Sequence, residues 1–443
     1  MDKQRWLQAA QKAGLEAFEI YEQKRSATSI RIYDGKVDGY KISECDGISL
    51  RGIYEGKQGI CFLEDMNDDI CEEMIQQVIA NAKYITSEDK QEILAPQASY
   101  QSIYRKHKEI LDTANDKKIE KLKALETAIL QMDKRIAQVM EITYGETIVS
   151  RDIVNTKGMD LHDEDACAYV VAEVMAKDKD DTKSGYDWMY ISSLDELDVE
   201  AFAKKVCDKV CGMLHADMID SGTYPVLIHH DAMTSLFSAL SGMFNGESAF
   251  KGISILKDKM NQKVFDSSIT IIDDALMEDG IASASFDDEG MPCEKTEVVK
   301  NGVLTSYLHN SKSAHMMKVS STGNGFKAGY SGPVSIAPTN LYIEAGVHTY
   351  EEMVASMEKG IIVTSITGLH AGLNTVSTEF SLQSSGYYVE HGKIVKPINL
   401  FTIAGNFMEM MSNISMLGND VTMGMSGIGT PSILFKKCAV SGK

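Results

Sequence analysis

The sequence lacks any hydrophobic run of about 18 or more residues, which is the length that a membrane-spanning helix needs. Its first residues, MDKQRWLQAAQKAGLEAFEIY, contain no apolar core followed by small residues, so we expect no signal peptide. The eight cysteines are scattered, mostly through apolar patterns, rather than arranged as a disulfide framework. These absences predict a cytoplasmic protein without a membrane partner.

Clustered basic residues are also absent, and the formal net charge of the 443 residues is −20. Nucleic-acid binding requires Lys and Arg side chains that neutralise phosphates, so the charge argues against a nucleic-acid partner. The densest basic stretch, DKKIEKLKALETAILQMDKR, is interleaved with acidic residues and is typical of a solvated helix face. A hydrophobic content of 44% is ordinary for a globular protein and leaves enough apolar residues for real cores.

Complete catalytic motifs are missing as well. The sequence contains no GxSxG nucleophile elbow and no GxxxxGK[ST] phosphate-binding loop. Paired carboxylates occur in several DD and DE clusters, most of which we expect to lie at turns and in solvent. Cys207, Cys211 and His215 recur at every fourth position of a predicted helix and could form a row of metal ligands. The apolar residues beside that row favour buried cysteines in a core instead.

Hydrophobic periodicity and turn signals predict an N-terminal α/β domain at residues 1–220. Amphipathic helices flank an antiparallel meander, and the longest helix is predicted at about residues 116–139. The pairs Asp34-Gly35, Asp46-Gly47 and Glu55-Gly56 have the composition of turns and are expected to separate the strands of the meander.

The stretch DSGTYP, residues 220–225, is interpreted as a linker that contains the domain boundary, and residues 221–443 are predicted to form a β-rich C-terminal domain with few helices. Asn301-Gly302 is the strongest hairpin signal in the chain, because both residues tolerate the positive φ of a type I′ turn. His391-Gly392 repeats this pattern. The predicted fold class of the whole chain is therefore α+β.

One stretch, VLIHHDAMTSLFSAL, combines a buried strand with an amphipathic helix and has two histidines at the junction. A zinc peptidase helix would have Glu after its first His and a second His about a turn and a half later, where this chain has Asp231 and Ser235. Asp231 is expected to cap the helix by accepting from free backbone N–H groups. His229 and His230 are consecutive, so we expect them to point in different directions and not to share an ion.

A second stretch, STGNGFKAGYSGP, is rich in glycine and small polar residues and is predicted to be a loop. Gly323, Asn324 and Gly325 are its candidate substrate-binding residues, since backbone N–H groups in such a loop could hold an anion. A plain connection between elements is the alternative interpretation.

Several segments along the chain support a resemblance to one family. They are IYDGKVDGYKIS, GISLRGIYEGKQGICF, LFSALSGMFNGESAFKGISIL, GIASASFDDEGMPCEKTEVVKNGVLTSYLHNSKSAHMM, STGNG and FTIAGNFMEMMSNISMLGND. Together they resemble the TldD/PmbA family, essentially end to end, and within it the PmbA (TldE) branch. The resemblance implies cytosolic, zinc-dependent proteolysis of small or unfolded peptides, including the maturation of peptide antibiotics. An older label for the family is modulator of DNA gyrase.

The catalytic TldD branch has an HExxxH motif and a cysteine after a GND segment. Placed on this chain, the resemblance puts His230 on the first His, Asp231 on the Glu and Ser235 on the second His. The only cysteine after the GND segment is Cys438, at a place where the ligand of the family is not expected. The resemblance therefore implies no catalytic residue and no metal in this chain.

Three hypotheses follow. The first is a metal-free PmbA/TldE-like subunit that pairs with a TldD-like catalytic subunit, which holds the zinc, and that helps to enclose an unfolded peptide substrate. In isolation such a subunit could form a homodimer. The second is an active zinc metallopeptidase that uses His230 with other, unidentified ligands. The third is a peptide-binding or regulatory protein without hydrolytic activity.

Overall fold

The structure is a computed structural model, and it describes residues 1–64, 67–86, 92–103 and 110–443. The chain forms two compact units. The N-terminal unit consists of residues 1–214, 286–292 and 325–335, and the C-terminal unit consists of the remaining residues from 215 onwards. The predicted α+β class is confirmed, whereas the predicted boundary after residue 220 stays a prediction. Two short segments of the second half belong to the N-terminal unit, which the sequence did not predict.

Among the described residues up to 214, the N-terminal unit contains one six-stranded antiparallel sheet and four α-helices. Its helices and strands up to residue 214 are α1 (Lys3–Lys12), β1 (Ala17–Tyr33), β2 (Lys36–Tyr54), β3 (Lys57–Leu63), α2 (Cys71–Tyr84), α3 (Asn115–Met132), β4 (Ile136–Asn155), β5 (Asp160–Asp178), β6 (Asp181–Tyr190) and α4 (Val199–Cys211). The strand order is β3-β2-β1-β4-β5-β6. Helices α1 and α2 bury their apolar side chains against β1 and β2, and α3 and α4 do so against β4 and β5.

Three sequence-based expectations for this unit need correction. Asp46 and Gly47 lie inside the long strand β2 and form no turn, because β2 stays paired with β1 along its length. Helix α3 ends at Met132 rather than near residue 139, since the chain after Asp133 alternates as strand β4. Asp287 and its two acidic neighbours, expected in solvent, are at most 5% exposed because the loop that contains them packs within this unit.

The C-terminal unit contains most of the remaining elements. In chain order the elements that follow α4 are β7 (Gly222–Ile228), α5 (His230–Leu240), α6 (Gly246–Phe250), β8 (Ile271–Asp274), β9 (Lys295–Lys300), β10 (Val303–Leu304), α7 (Ser311–Met317), β11 (Gly325–Lys327), β12 (Val334–Ile336), β13 (Leu341–Ile343), α8 (Tyr350–Ala355), β14 (Lys359–Thr367), α9 (Leu369–Gly372), β15 (Glu379–Glu390), β16 (Lys393–Asn406), α10 (Phe407–Met411), β17 (Ile414–Leu417), β18 (Thr422–Met423), β19 (Ile428–Thr430) and β20 (Ile433–Ser441).

Two six-stranded sheets form the core of the C-terminal unit. In one, the order is β16-β15-β14-β7-β20-β17, and a further pairing of β16 with β20 closes five of its strands into a ring. In the other, the order is β10-β9-β8-β13-β19-β18. One hydrophobic cluster contains the inner side of α5 together with buried side chains from both sheets. This packing sets the position of α5 against the two sheets.

The predicted hairpins are confirmed at four turns. Asn301-Gly302 joins β9 to β10 with φ angles of 48° and 78°, as a type I′ turn requires. His391-Gly392, Asp34-Gly35 and Glu55-Gly56 connect antiparallel strands in the same way. No helix of the described residues combines the length and the apolar character that crossing a membrane would take.

A buried histidine makes the stability of the C-terminal unit depend on pH. His309 is 3% exposed, and its Nδ1 lies 3.0 Å from the Ser313 hydroxyl at the start of α7. Burial lowers the pKa of His309 to about 4. The unfolded chain therefore binds a proton between pH 6.5 and 4 that the folded unit does not, and folding stability falls as the pH falls through this window.

We predict that His309→Gln removes this dependence. The difference in the free energy of unfolding between wild type and variant should shrink as the pH is lowered from 6.5 to 4. The lowered pKa of His309 corresponds to a change of up to about 3 kcal/mol. Both tryptophans lie in the N-terminal unit, so tryptophan fluorescence does not report directly on the C-terminal unit. Hydrogen exchange of the α7 amides measures the stability of that unit instead. His391→Gln changes an exposed imidazole and serves as control. A difference that stays constant with pH would contradict the prediction.

Candidate functional site

The candidate site lies where strand β7 ends and helix α5 begins. The residues Val226–Ile228 are fully buried between β14 and β20, so the chain leaves the sheet at a fixed place. His229 stays extended, with φ −62° and ψ 148°, and its N–H donates to the carbonyl oxygen of Val363. The helix then buries Met233 and the apolar residues one turn further along. The first turn of α5 is thereby presented at the end of the sheet.

A chain of hydrogen bonds fixes the first residue of this helix. The carboxylate of Asp420, in the GND segment, accepts from the backbone N–H of Ser432 at 2.8 Å and from its hydroxyl at 2.6 Å. The Ser432 hydroxyl oxygen in turn accepts from the backbone N–H of His230 at 3.0 Å. One of the N–H groups that every helix start leaves unpaired is thus satisfied from a distant part of the sequence.

The two histidines lie against each other, and the prediction that they point apart is wrong. The centroids of the His229 and His230 rings are 3.9 Å apart, with an interplanar angle of 37°. Because His229 is extended rather than helical, its ring folds back over the helix start, and its Nδ1 accepts from the Asp231 N–H at 3.4 Å. The capping side chain is therefore His229, whereas Asp231 was expected to cap.

The ring of His230 has a buried nitrogen without a hydrogen bond. Its Nδ1 lies 3.2 Å from a carboxylate oxygen of Asp231, but the directions of the groups do not make a hydrogen bond. One ligand atom each from His229, His230 and Asp231 lie within 4.8 Å of one another. Imidazole nitrogens and carboxylate oxygens are common zinc ligands. Zinc–ligand bonds of about 2.0–2.2 Å in a tetrahedral site put the ligand atoms roughly 3.3 Å apart. The donor types therefore fit zinc, and carboxylate oxygens of Asp231 lie 3.2 Å from the His230 Nδ1 and 3.9 Å from the His229 Nδ1.

Neither Ser235 nor Cys438 supplies a metal ligand at the start of α5. The exposed Ser235 donates its hydroxyl to the carbonyl oxygen of Asp231, one turn back on the helix, at 2.9 Å. Cys438, on strand β20, lies opposite Tyr224 near the other end of β7. Tyr224 is about 13 Å along that strand from Ile228. Burial raises the pKa of the Cys438 thiol to about 11, so it is a neutral core group.

Tyr350, the first residue of α8, forms a wall of the site. Its ring contacts the His229 ring edge-on, with centroids 5.6 Å apart. Burial, and to a smaller extent the Asp420 carboxylate, raise the pKa of Tyr350 to about 12. Sequence reasoning missed Tyr350 and Ser432, since neither belongs to a local motif. The GND segment was the one signal that pointed to Asp420.

The predicted substrate-binding residues of the glycine-rich stretch have most of their polar groups engaged within the protein. The buried Asn324 amide donates to the Asp273 carboxylate at 2.7 Å, and the Gly323 carbonyl accepts from the Cys293 thiol at 3.0 Å. The Gly325 N–H donates to Asp287 at 2.8 Å. Substrate binding by these three residues stays a prediction.

The row of Cys207, Cys211 and His215 does not form. Helix α4 ends at Cys211, and His215 lies beyond it with a positive φ of 58°, so the three residues do not share one helical face. Both cysteines are buried, and burial raises the pKa of the Cys207 thiol to about 12 and of the Cys211 thiol to about 11. Within the described ranges, the metal-ligand cluster is the one at the start of α5.

We predict that Asp420→Ala destabilises the C-terminal unit by about 1–3 kcal/mol, since it leaves the Ser432 N–H and hydroxyl without their acceptor. Thermal unfolding followed by circular dichroism measures the effect. Asp217→Ala removes an exposed carboxylate that pairs with Lys396 and should change little. Equal effects of the two substitutions would show that the hydrogen-bond chain does not stabilise the start of α5.

Comparison with known proteins places this site in a family. Models of the PmbA/TldA metallopeptidases match nearly the whole chain: their C-terminal domain at residues 221–442, their central domain at residues 108–214 and their domain 1 at residues 18–82. Metalloprotease PmbA of Escherichia coli O157:H7 is 25% identical over 438 residues, which are 96% of this chain and 92% of that protein. A metalloprotease TldD homologue of Haemophilus influenzae is 24% identical over 454 residues, 96% of this chain and 92% of that protein.

Solved structures show the same fold. A Thermotoga maritima protein whose name refers to modulation of a DNA gyrase superimposes with a TM-score of 0.90 at 27% identity, over 99% of both chains. TldE of Thermococcus kodakarensis superimposes with a TM-score of 0.91 at 22% identity, over 99% of this chain and all of that one. The chain therefore belongs to the TldD/PmbA family, the PmbA/TldA metallopeptidases.

Proposed function

We propose that this chain is the non-catalytic, PmbA/TldE-like subunit of a cytosolic TldD/TldE-type peptidase that processes or degrades small or unfolded peptides. The observation that supports the proposal is the composition of the first turns of α5. Of the three family positions that ligate zinc, only His230 has a metal-binding side chain near the helix start. The general-base position holds Asp231, which is one methylene shorter than Glu.

The chemistry supports a chain without the catalytic zinc. Catalytic zinc takes three protein ligands and keeps a fourth place open for water. His229 uses its Nδ1 to cap the helix, and the Asp231 carboxylate lies beside His230 rather than free to act as a base. Using Asp231 as a third ligand would leave the site without a general base.

A TldD-like partner would supply the zinc centre. Relatives of this chain include proteins named metalloprotease PmbA and metalloprotease TldD, and the fold is that of a protein named TldE. All eight cysteines of this chain are free, which suits a reducing compartment. An extended peptide could bind by adding a strand to an exposed sheet edge, without selection for sequence. In isolation the chain could form a homodimer.

The convergence of His229, His230 and Asp231 favours one second candidate, a zinc peptidase that uses these three side chains. Such an enzyme would cleave peptides without a partner. It would also lose its activity when either imidazole is removed, because two remaining ligands hold a catalytic zinc poorly.

We predict that the purified chain cleaves no unfolded peptide alone and that cleavage appears when a TldD-type subunit is co-expressed with it. In that complex His230→Ala should keep cleavage within about twofold and change folding stability by less than about 1 kcal/mol, because the imidazole has no catalytic role. The measurement is cleavage of an unfolded peptide by mass spectrometry, with His391→Ala as an exposed-histidine control.

Partner-free cleavage that His229→Ala and His230→Ala both abolish would establish the second candidate and refute the proposal. Failure of the chain to co-purify with any HExxxH-bearing protein would also count against it. That outcome would favour a peptide-binding or regulatory role.

A further inference from the structure

Helices α1 to α4 pack against one face of the sheet of the N-terminal unit. On β5, Ala168 and Val170 are buried with α3 and α4, whereas the half-buried Tyr169 between them lies on the other face. Every second residue of β1 from Arg25 to Arg31 lies on that other face too, together with the residues directly opposite on β2, β4, β5 and β6. We call this surface the open face.

One half of the open face, on β5 and β6, is unusually apolar for a surface in contact with solvent. The half-buried rings of Trp188 and Tyr190 meet edge-on, with centroids 5.4 Å apart. Tyr169 lies directly opposite Tyr190, and its ring occupies the place that a Cβ atom of Gly145 would take. A solvated face of an antiparallel sheet is normally polar, so this aromatic group indicates an interaction surface.

The other half of the open face, on β1 and β2, has small and basic side chains. Arg25 and Lys41 are exposed, and Ser29 lies directly opposite Lys41. The residues opposite one another across the strands form rows, and the row of Arg25 continues through Val149 on β4 to Asp165 on β5. The open face therefore has a basic half with small residues and an acidic half with large ones.

These two halves complement each other in charge when a second copy of the open face packs on the first. A two-fold axis parallel to β4 keeps each row in place and exchanges β1 with β5 and β2 with β6. Arg25 of one copy then faces Asp165 of the second copy across the roughly 10 Å that separates two packed sheets. Lys41 likewise faces the ring of Tyr190, where a cation–π contact can form.

The halves also complement each other in size under the same axis. Ser29 faces Tyr169 of the second copy, because both lie in the row that contains Gly145. Gly39 faces Trp188 of the second copy, because the row of Arg31 begins at Gly39 and ends at Trp188. The aromatic side chains of each copy thus meet the smallest residues of the other. A second copy is favoured over an unrelated partner, since the face supplies its own complement.

We propose that the open face is the surface through which two copies of this chain associate into a two-fold symmetric dimer. The interface is isologous, so each copy contributes both Arg25 and Asp165 and the dimer contains two such pairs. The proposal does not depend on the proposed peptidase role, because it concerns the isolated chain.

Sedimentation equilibrium of the purified full-length chain, without a TldD-type subunit or a peptide, tests the proposal. The wild type should be a dimer that dissociates on dilution. Arg25→Glu brings like charges together in both pairs and should raise the dissociation constant at least about tenfold, and Asp165→Arg should do the same. The double variant Arg25→Glu/Asp165→Arg restores opposite charges in both pairs and should return to within about threefold of the wild type.

A charge reversal on the helix-bearing face of the same sheet is the control. Glu44 is exposed and lies opposite Ser26, so Glu44→Arg should leave the dissociation constant unchanged. Unchanged circular dichroism shows that each variant keeps its fold. A wild type that is monomeric at about 100 μM would overturn the proposal, also if Arg25→Glu then weakened binding to a TldD-type subunit. A dimer that the single variants do not weaken, or a double variant as weak as the single ones, would overturn it as well.

Discussion

The hydrogen-bond chain from the Asp420 carboxylate through the Ser432 hydroxyl to the His230 backbone N–H determines where helix α5 begins. Three separate parts of the sequence meet there: the end of β7, the GND segment and the residue before β20. The apolar face of the helix packs against a hydrophobic core to which both sheets contribute. The places from which the side chains of His229, His230 and Asp231 project follow from this arrangement, because the backbone at the helix start is fixed.

That arrangement holds the start of α5 in place independently of a bound ion. The stability of the helix start comes from backbone hydrogen bonds and from the His229 cap, and neither requires an ion. A regular helix also puts side chains five residues apart about 140° from each other, so a zinc-binding His pair at this spacing needs local distortion. The Ser235 hydroxyl instead donates to a carbonyl oxygen within α5, so α5 can remain a regular helix.

Periodicity and turn chemistry predicted the α+β class, the helical face of α5 and the hairpins at Asn301-Gly302 and His391-Gly392, because these features depend on neighbouring residues. The same reasoning was wrong where contacts between distant parts of the sequence determine the structure. Asp46-Gly47 has the composition of a turn, but pairing along β1 keeps it in a strand. Asp287 is buried because the loop that contains it packs within the N-terminal unit, which spacing cannot reveal. The stacking of the two histidines depends on an extended residue before the helix.

The zinc affinity of the purified chain tests the absence of a catalytic metal centre most directly. Competition with a chromophoric chelator at pH 7.5 measures the dissociation constant, and His229→Ala and His230→Ala show whether the start of α5 contributes. The account predicts binding weaker than about 1 μM, or about −8 kcal/mol, and little difference between wild type and variants. Stoichiometric zinc held at nanomolar affinity, and lost in both variants, would contradict it.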